Sequence, residues 1–484
     1  MIIHWFRRDL RLRDNPALDA ALRGAGGRVV PLFVLDDALL GGRVGPARLA
    51  FLRDTLCALD ADLRARGSRL ILRRGPPADV LSALVEETGA TGLHFNRDYT
   101  PFARARDAQM RAALAGRVAL ADFNDLAICE PDALFTKAGN PYTVYTPYRR
   151  KWQARVETDR AELLAETPLP PFAPPPAGLA SLPLAALDDL AGPTPQALPP
   201  GGESAGLARL AAFAEADGPE GIVGYHTRRD QMALSGTSRL SVYLHFGCVS
   251  VRACLRAALR AAERAGPTAR DGVETWVGEL AWRDFYTQIL YHFPHVLRGA
   301  YKPELDALAW ENRPDLFDAW QRGCTGYPIV DAAMRQLQAE AWMHNRARMI
   351  VGSFLVKDLL VSWRWGERHF LRLLVDADHA ANNGGWQWVA STGADAQPYF
   401  RIFNPVSQGQ KFDPRGEYVR RYVPELRDVP ERYIHAPWTM PPDQQRRAGV
   451  QIGRDYPAPV VDHADRRDRA LAMYRAARCQ RPEA

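Results

Sequence analysis

The chain is sparing with cysteine. Six occur in 484 residues, at Cys57, Cys129, Cys248, Cys254, Cys324 and Cys479, with no C-x-x-C pair and no Cys/His spacing suited to a metal. That argues against a disulfide framework or a structural zinc and fits a reducing compartment. No apolar run approaches the roughly 18 residues that a membrane helix needs. The N-terminus, MIIHWFRRDLRLRDN, carries charge from position 7 and lacks the apolar centre of a secretory leader. A soluble cytoplasmic protein is therefore expected. The first apolar run is not followed by G-x-G-x-x-G, so a dinucleotide fingerprint is missing there. Ser-His-Asp, Cys-His and zinc arrangements are missing as well.

What is present is globular composition, 47% hydrophobic and 24% charged, in a chain long enough for two or three domains. The net charge of +6 permits a polyanionic partner without requiring one. Tryptophan is used 12 times.

Residues 1–128 alternate short apolar runs with helical segments. IIHWF (2–6), VVPLFVLD (29–36), RLILRR (69–74), GLHFN (92–96) and VALADF (118–123) read as buried parallel strands. Helices are expected at 15–23, 46–66, 77–88 and 101–115, most opened by Pro or a small polar residue. The alternation predicts a doubly wound α/β domain with ligands beyond the strand C-termini. A linker is assigned to 129–204, rich in Pro, Ala and Gly from about 165 and partly extended. Residues 205–475 carry almost wholly helical periodicity and are read as a second, all-helical domain.

Four segments of that second half concentrate chemistry. DADHAANNGGWQWVASTGADAQPYFRIFNP (376–405) packs carboxylates, amides, glycines and tryptophans together; alone it could be a polar helix cap. WMHNRARMIVGSFLVKDLLVSW (342–363) is read as one long helix, placing Asn345, Arg348, Met349 and Gly352 on one stripe, a ligand-facing surface more often than a core seam. ETWVGELAWRDFYTQIL (274–290) puts Trp276, Glu279, Trp282 and Arg283 on one face, where a carboxylate between tryptophans needs a partner. GTSRLSVYLHFG (236–247) brings Thr237, Ser238, Arg239 and Ser241 to a helix start, a phosphate site or a plain cap.

With HWFRRDLRLRDNPAL at the N-terminus and TGYPIVDAAMRQL (325–337), these motifs resemble the photolyase/cryptochrome family along essentially the whole chain, and within it the class I branch acting on cyclobutane pyrimidine dimers. The resemblance implies FAD in the helical domain, contacted by Tyr225, Thr237, Ser238, Arg239, Leu240, Ser241, Trp276, Asp376, Ala377 and Asp378. It implies an Arg348–Asp376 pair beside the flavin ring and Asn382 facing its N5. Trp386, Trp363 and Trp310 match a chain of electron-carrying tryptophans. Trp282 and Trp388 would stack on a flipped-out dimer, Glu279 and Asn345 hydrogen-bond its edges, and Met349 pack against it. Arg229, Arg283, Arg346, Arg401 and Gln408 would, with these, meet UV-damaged DNA. The implied reaction is light-driven electron transfer from reduced FAD to the dimer, ring opening and return of the electron. A monomer is expected.

A second, light-harvesting chromophore is implied in the α/β domain. Where the folate-binding branch has an Asn-Glu pair, this chain has Phe102 and Ala103. The runs PARLAFLRDTL and NRDYTPFARARD look more like the 8-hydroxy-deazaflavin branch, with Arg48 and Asp98 touching the pigment, although His245 stands where that branch usually has lysine. Deazaflavin is favoured over folate, flavin or no antenna. The alternative within the family is a cryptochrome-type blue-light photoreceptor, which need not keep Glu279, Trp282, Asn345 and Trp388 together.

Overall fold

A computed structural model of the chain describes residues 1–41, 44–166, 168–190, 198–216 and 220–479. Five strands form one all-parallel sheet, β1 (Ile2–Phe6), β2 (Val29–Leu35), β3 (Ile71–Arg74), β4 (Gly92–Asn96) and β5 (Ala119–Phe123), in the order β3-β2-β1-β4-β5. β1 and β2 are buried along their whole length, which is why they read as unbroken apolar runs rather than alternating ones. The crossover helices Pro16–Ala25, Pro46–Arg64, Pro77–Thr88 and Pro101–Ala113 each begin on proline, whose missing N–H costs nothing at the first turn. Asn15 caps the first by accepting from Leu18 N, and Gly26 closes it at φ 56°.

Strand order reverses between β1 and β4. The loops leaving them, residues 7–15 and 97–100, diverge there and open the crevice where such sheets take ligands. That crevice faces the helical part of the chain, and the two parts share apolar core: Phe51 of the Pro46–Arg64 helix packs on Tyr243 and Phe246, with ring centroids 5.7 and 4.9 Å away. A second core, built around Trp320, Phe354, Trp363, Phe370, Trp386 and Tyr418, lies wholly within the helical part.

Two expectations are corrected here. The stretch read as linker contains a helix, Tyr145–Thr158, whose Tyr145, Tyr148 and Trp152 are buried against the Arg270–His292 helix. A short helix follows at Arg160–Leu164, and the proline-rich segment beyond it borders the sheet, where Leu182 N donates to Leu72 O on edge strand β3. The long helix read over 342–363 is three pieces, an α-helix at Asn345–Ser353, a π-helical turn at Phe354–Asp358, and a new α-helix starting at Trp363. Leu360, at φ 50°, marks the break.

Candidate active site

Three helices carry the residues expected to meet the dimer. The first, Arg270–His292, presents Glu279 half-buried. Arg229 supplies the partner that a carboxylate between tryptophans requires, with Nη1 2.5 Å from Oε1. Burial pushes the Glu279 carboxyl up, and the Arg229 charge restrains the shift. One turn on, Trp282 lies flat against Tyr145, ring centroids 3.5 Å apart and planes 9° from parallel. Tyr145 is fixed in turn, its hydroxyl donating to Gly278 O and its N–H to Asp395. One face of Trp282 is thus backed by protein. Trp276 is buried against Phe213.

Arg283 is mostly buried: its guanidinium donates to the Leu126 carbonyl and lies 4.0 Å from Asp284, with 17% of the side chain exposed. Asp284 is itself buried, and its Oδ2 accepts from Ile128 N, Cys129 N and Trp152 Nε1 at 3.0, 3.1 and 2.9 Å. Burial lifts its carboxyl to about 6.

The second helix, Asn345–Ser353, starts on His344, whose Nδ1 accepts from Arg346 N. Asn345 is exposed, while Arg348 and Met349 are half-buried. Arg348 pairs with buried Asp376 at 2.8 Å, as the resemblance implies. Arg346 is bidentate on Asp230 and lies over the Phe412 ring. Gly352 is no ligand-facing gap: a Cβ there would stand 3.1 Å from Val389 and 3.7 Å from Trp386, so the bare residue serves helix packing.

The third helix, His379–Val389, begins at Asp378, whose Oδ1 accepts from Ala380 N and Ala381 N while Oδ2 takes Arg8 Nη2 at 2.7 Å. Burial opposes ionisation of Asp378, but Arg8, with His245 and Arg283, outweighs it and holds the carboxyl low. Asn382 donates its amide to Glu367 O, and Asn383 to the Glu367 carboxylate. Trp386 is buried. Trp388 is half-buried and lines a small cavity with Tyr286, Gly384 and Asp395. Trp363 is buried, and Trp310 is half-buried against Tyr474.

Thr237 and Ser238 precede a short helix, Ser241–Phe246, with Leu240 buried and Ser241 exposed. Arg209 braces this turn through the carbonyls of both Thr237 and Ser238. Arg239, at φ 52°, reaches Glu340 at 3.1 Å and covers Trp342. Tyr225 is buried beside Arg229. Arg401 is exposed and Gln408 half-buried. At the crevice, Arg48 is held by the carbonyls of Ala377 and Leu371, and Asp98 lies 3.8 Å from Arg8. Arg8, Tyr145 and Asp230 are the parts that sequence reasoning missed; the Arg-Arg-Asp run at 7–9 was the visible signal for the first.

These residues fit a flavin nucleotide. Buried Nε2 of His344 and Nε1 of Trp386, on or beside the helices just described, have no protein partner. A Cβ on Gly385 would meet nothing within 4 Å, leaving room beside Asn382. Arg348 offers a braced cation, and Thr237, Ser238 and Ser241 offer hydroxyls for phosphate or ribityl oxygens.

Comparison with known proteins follows the same lines. Residues 2–174 match the family model for DNA photolyase, and residues 276–476 that for the FAD binding domain of DNA photolyase. A deoxyribodipyrimidine photo-lyase of Halobacterium salinarum is 44% identical over 495 residues, covering 99% of this chain and 99% of the relative. Among solved structures, a bacterial class III photolyase from Agrobacterium tumefaciens gives a TM-score of 0.91 at 40% identity, with 99% of this chain and 98% of that one covered. An archaeal photolyase from Sulfolobus tokodaii with two FAD molecules gives 0.81 at 33%, covering 98% and 99%. With both units matched and the alignment running from end to end, the chain belongs to the DNA photolyase family.

Proposed function

We propose that this protein is a light-dependent DNA repair enzyme that splits cyclobutane pyrimidine dimers, a class I deoxyribodipyrimidine photo-lyase working as a cytoplasmic monomer. The observation that carries the reading is that the helix bearing Glu279 and Trp282 and the helix bearing Asn345 and Met349 both pack on the one bearing Asn382 and Trp388, with Arg348 paired to Asp376. Among the described residues, no helix is long and apolar enough to cross a membrane. Residues 1–128 form the antenna-binding unit, 129–204 the connection and 205–475 the catalytic unit, with the Tyr145–Thr158 helix lent by the connection to the catalytic site.

FAD would be held by Tyr225, the 237–241 turn, Trp276, Arg348, the 376–378 segment and Asn382. When bound and reduced, it supplies one electron on illumination and recovers it after the dimer has opened, so no net oxidation occurs. The protein's tasks are to bind, orient and exclude water. A dimer must leave the duplex to reach this interior. Trp282, already backed by Tyr145, offers one face, and Trp388 offers a second platform; aromatic stacking contributes about 1–3 kcal/mol per base. Arg229 occupies Oε1 of Glu279, which leaves Oε2 for a pyrimidine edge. Burial raises the Glu279 pKa and the Arg229 charge restrains the shift, and the paired carboxylate offers Oε2 as an acceptor for a pyrimidine N–H. Asn345 supplies an amide, Met349 packs on the ring pair, and Arg229, Arg346, Arg401 and Gln408 supply the polar rim toward phosphate. Trp386, Trp363 and Trp310 carry electrons between flavin and surface.

An antenna pigment would sit in the crevice between β1 and β4, with 8-hydroxy-deazaflavin favoured. Ala103 is buried, leaving no carboxylate where the folate branch has one, and Asp98 lines the crevice. A second FAD is the alternative that the Sulfolobus tokodaii structure supports.

The test is an absorbance spectrum of purified protein, followed by blue-light repair of a thymine-dimer oligonucleotide by wild type and Glu279→Gln. Flavin bands, light-dependent loss of dimers, and slower repair by the variant with full FAD content are expected. Bound flavin without any repair under reducing conditions would replace this reading with a photoreceptor.

A further inference from the structure

Lys357 is an unusual residue to find completely inside a protein. Its side chain is 0% exposed, on the π-helical turn Phe354–Asp358, and it lies outside every role assigned above. An ammonium has three protons to donate and no acceptor capacity. Here all three find oxygen: Nζ lies 3.2 Å from Ser391 Oγ, 3.3 Å from Tyr399 O and 3.1 Å from Arg401 O.

Those acceptors are the two ends of one loop. Residue 391 lies two past the end of the helix that carries Asn382 and Trp388, and 401 precedes the Pro405–Phe412 helix that carries Gln408. Between them, Gly393, Ala394, Asp395 and Ala396 wall the small cavity beside Trp388, and Asp395 receives the N–H of Tyr145. The far end displays Phe400, 66% exposed, and exposed Arg401. The loop's start is held at Ser391, a non-glycine residue at φ 62°, a conformation that needs support from its surroundings. A π-turn is the local device that aims Lys357 there; such turns interrupt a helix where a side chain is needed off the regular spacing.

We propose that Lys357 is a positioning residue for damaged DNA: its ammonium clasps both ends of loop 391–401 and so sets Trp388 and Arg401 at the separation the lesion requires. The proposal rests on the repair reading given above. The groups facing the ammonium are few. Asp358 on the same turn is directed to His463, and Arg466 reaches the Asp358 carbonyl. Tyr474 lies under it at 5.9 Å and stacks on Tyr399. Burial, opposed by Asp358, brings the Lys357 pKa down to about 7. Above that pH the amine keeps two protons, so one of the three bonds is lost and the other two become neutral, roughly half as strong. The clasp therefore tightens below pH 7 and slackens above it.

The experiment uses the FAD-loaded chain. Trypsin cleavage after Arg401, normalised to an unfolded peptide at each pH, reports the loop without DNA. Affinity for a dimer-containing duplex against undamaged duplex reports recognition. Wild type should be cleaved faster, and bind the lesion more weakly, as pH rises through 7. Lys357→Met should be cleaved quickly at every pH and lose about tenfold in lesion affinity, the equivalent of losing one charged hydrogen bond. FAD content and repair at saturating substrate should stay unchanged. Ser391→Ala, which removes one acceptor and leaves the lysine, should give a smaller loss in the same direction. Should Lys357→Met fail to fold, the wild-type pH series and Ser391→Ala decide. Cleavage and affinity that ignore pH in wild type and are unchanged in Ser391→Ala overturn the proposal. A wild-type chain that cannot tell damaged from undamaged duplex instead overturns the repair reading, and the cleavage data still report the clasp.

Discussion

Arg8 and Asp378 provide a direct measurement of how firmly the sheet-bearing part grips the helix that carries Asn382. Arg8 leaves the C-terminal end of β1, and its Nη2 meets Asp378 Oδ2 at 2.7 Å, with each side chain 21% exposed. At an effective dielectric near 20, two unit charges about 4 Å apart attract by about 4 kcal/mol before desolvation is counted. Burying both groups offsets more than half of that, and a hydrogen bond to a charged partner contributes about 1.5–3 kcal/mol net. A coupling of about 1–2 kcal/mol follows. The cycle is Arg8→Gln, Asp378→Asn and the double variant, followed by denaturant unfolding and by the FAD dissociation rate. Asparagine keeps the helix cap, since its side-chain oxygen serves Ala380 N and Ala381 N as the carboxylate does. The pH dependence has a definite sign. The folded pKa of Asp378 lies below its ordinary value of 3.8, so its contribution is fully present above that value and is lost as pH falls through the folded pKa. Arg8→Gln should move that loss to higher pH. If the single effects add to within about 0.3 kcal/mol and the acid limb is unmoved, the pair is not the joint described here.

Other expectations bear on neighbouring parts. Alanine at Gly366 would place a Cβ 2.1 Å from the Trp386 ring, so Gly366→Ala should cost about 1–3 kcal/mol in a thermal melt and slow flavin photoreduction. Asp284→Ala leaves three buried donors without an acceptor and should cost at least about 3 kcal/mol, against about 1 kcal/mol for Asp284→Asn. Because the folded pKa of Asp284 is raised from 3.8 to about 6, the native state holds a proton that the unfolded chain releases. Wild type should therefore lose stability relative to Asp284→Asn as pH rises across that window, as unfolding titrations at pH 4 and 7 would reveal. Trp310→Phe should block photoreduction of oxidised flavin yet spare repair by enzyme already reduced; failure of both would refute its place in the electron chain.

Much of the sheet was legible because its evidence is local. A central parallel strand must be apolar on both faces, and four crossover helices announce themselves by a first-turn proline, so elements could be placed from 2–6 to 101–115 within a few residues. The Tyr145–Thr158 helix was missed because YTPYRRKWQARVET buries only Tyr145, Tyr148 and Trp152, too narrow a stripe beside so many cations. The break after Ser353 was missed because SFLVKDLL keeps helical composition through a π-turn. At the site, residue types and helix faces were legible, but not directions: nothing local distinguishes Arg283, turned in to Leu126, from Arg401, turned out. Partners far apart in sequence, such as Arg8 with Asp378 or Arg229 with Glu279, become visible only when the fold brings them together.

The stack of Tyr145 on Trp282 has a consequence for dissecting the molecule. A fragment cut at the end of the proline-rich segment would keep every helix of the flavin-binding half, but would strip the covering from Trp282 and from Phe285 beside it, and would empty Trp152's place at Asp284. Such a piece would expose a flat aromatic patch and a buried carboxylate at once, and should self-associate when expressed alone. The smallest independent catalytic piece therefore starts ahead of Tyr145, so the physical seam in this chain lies upstream of the one its proline content marks.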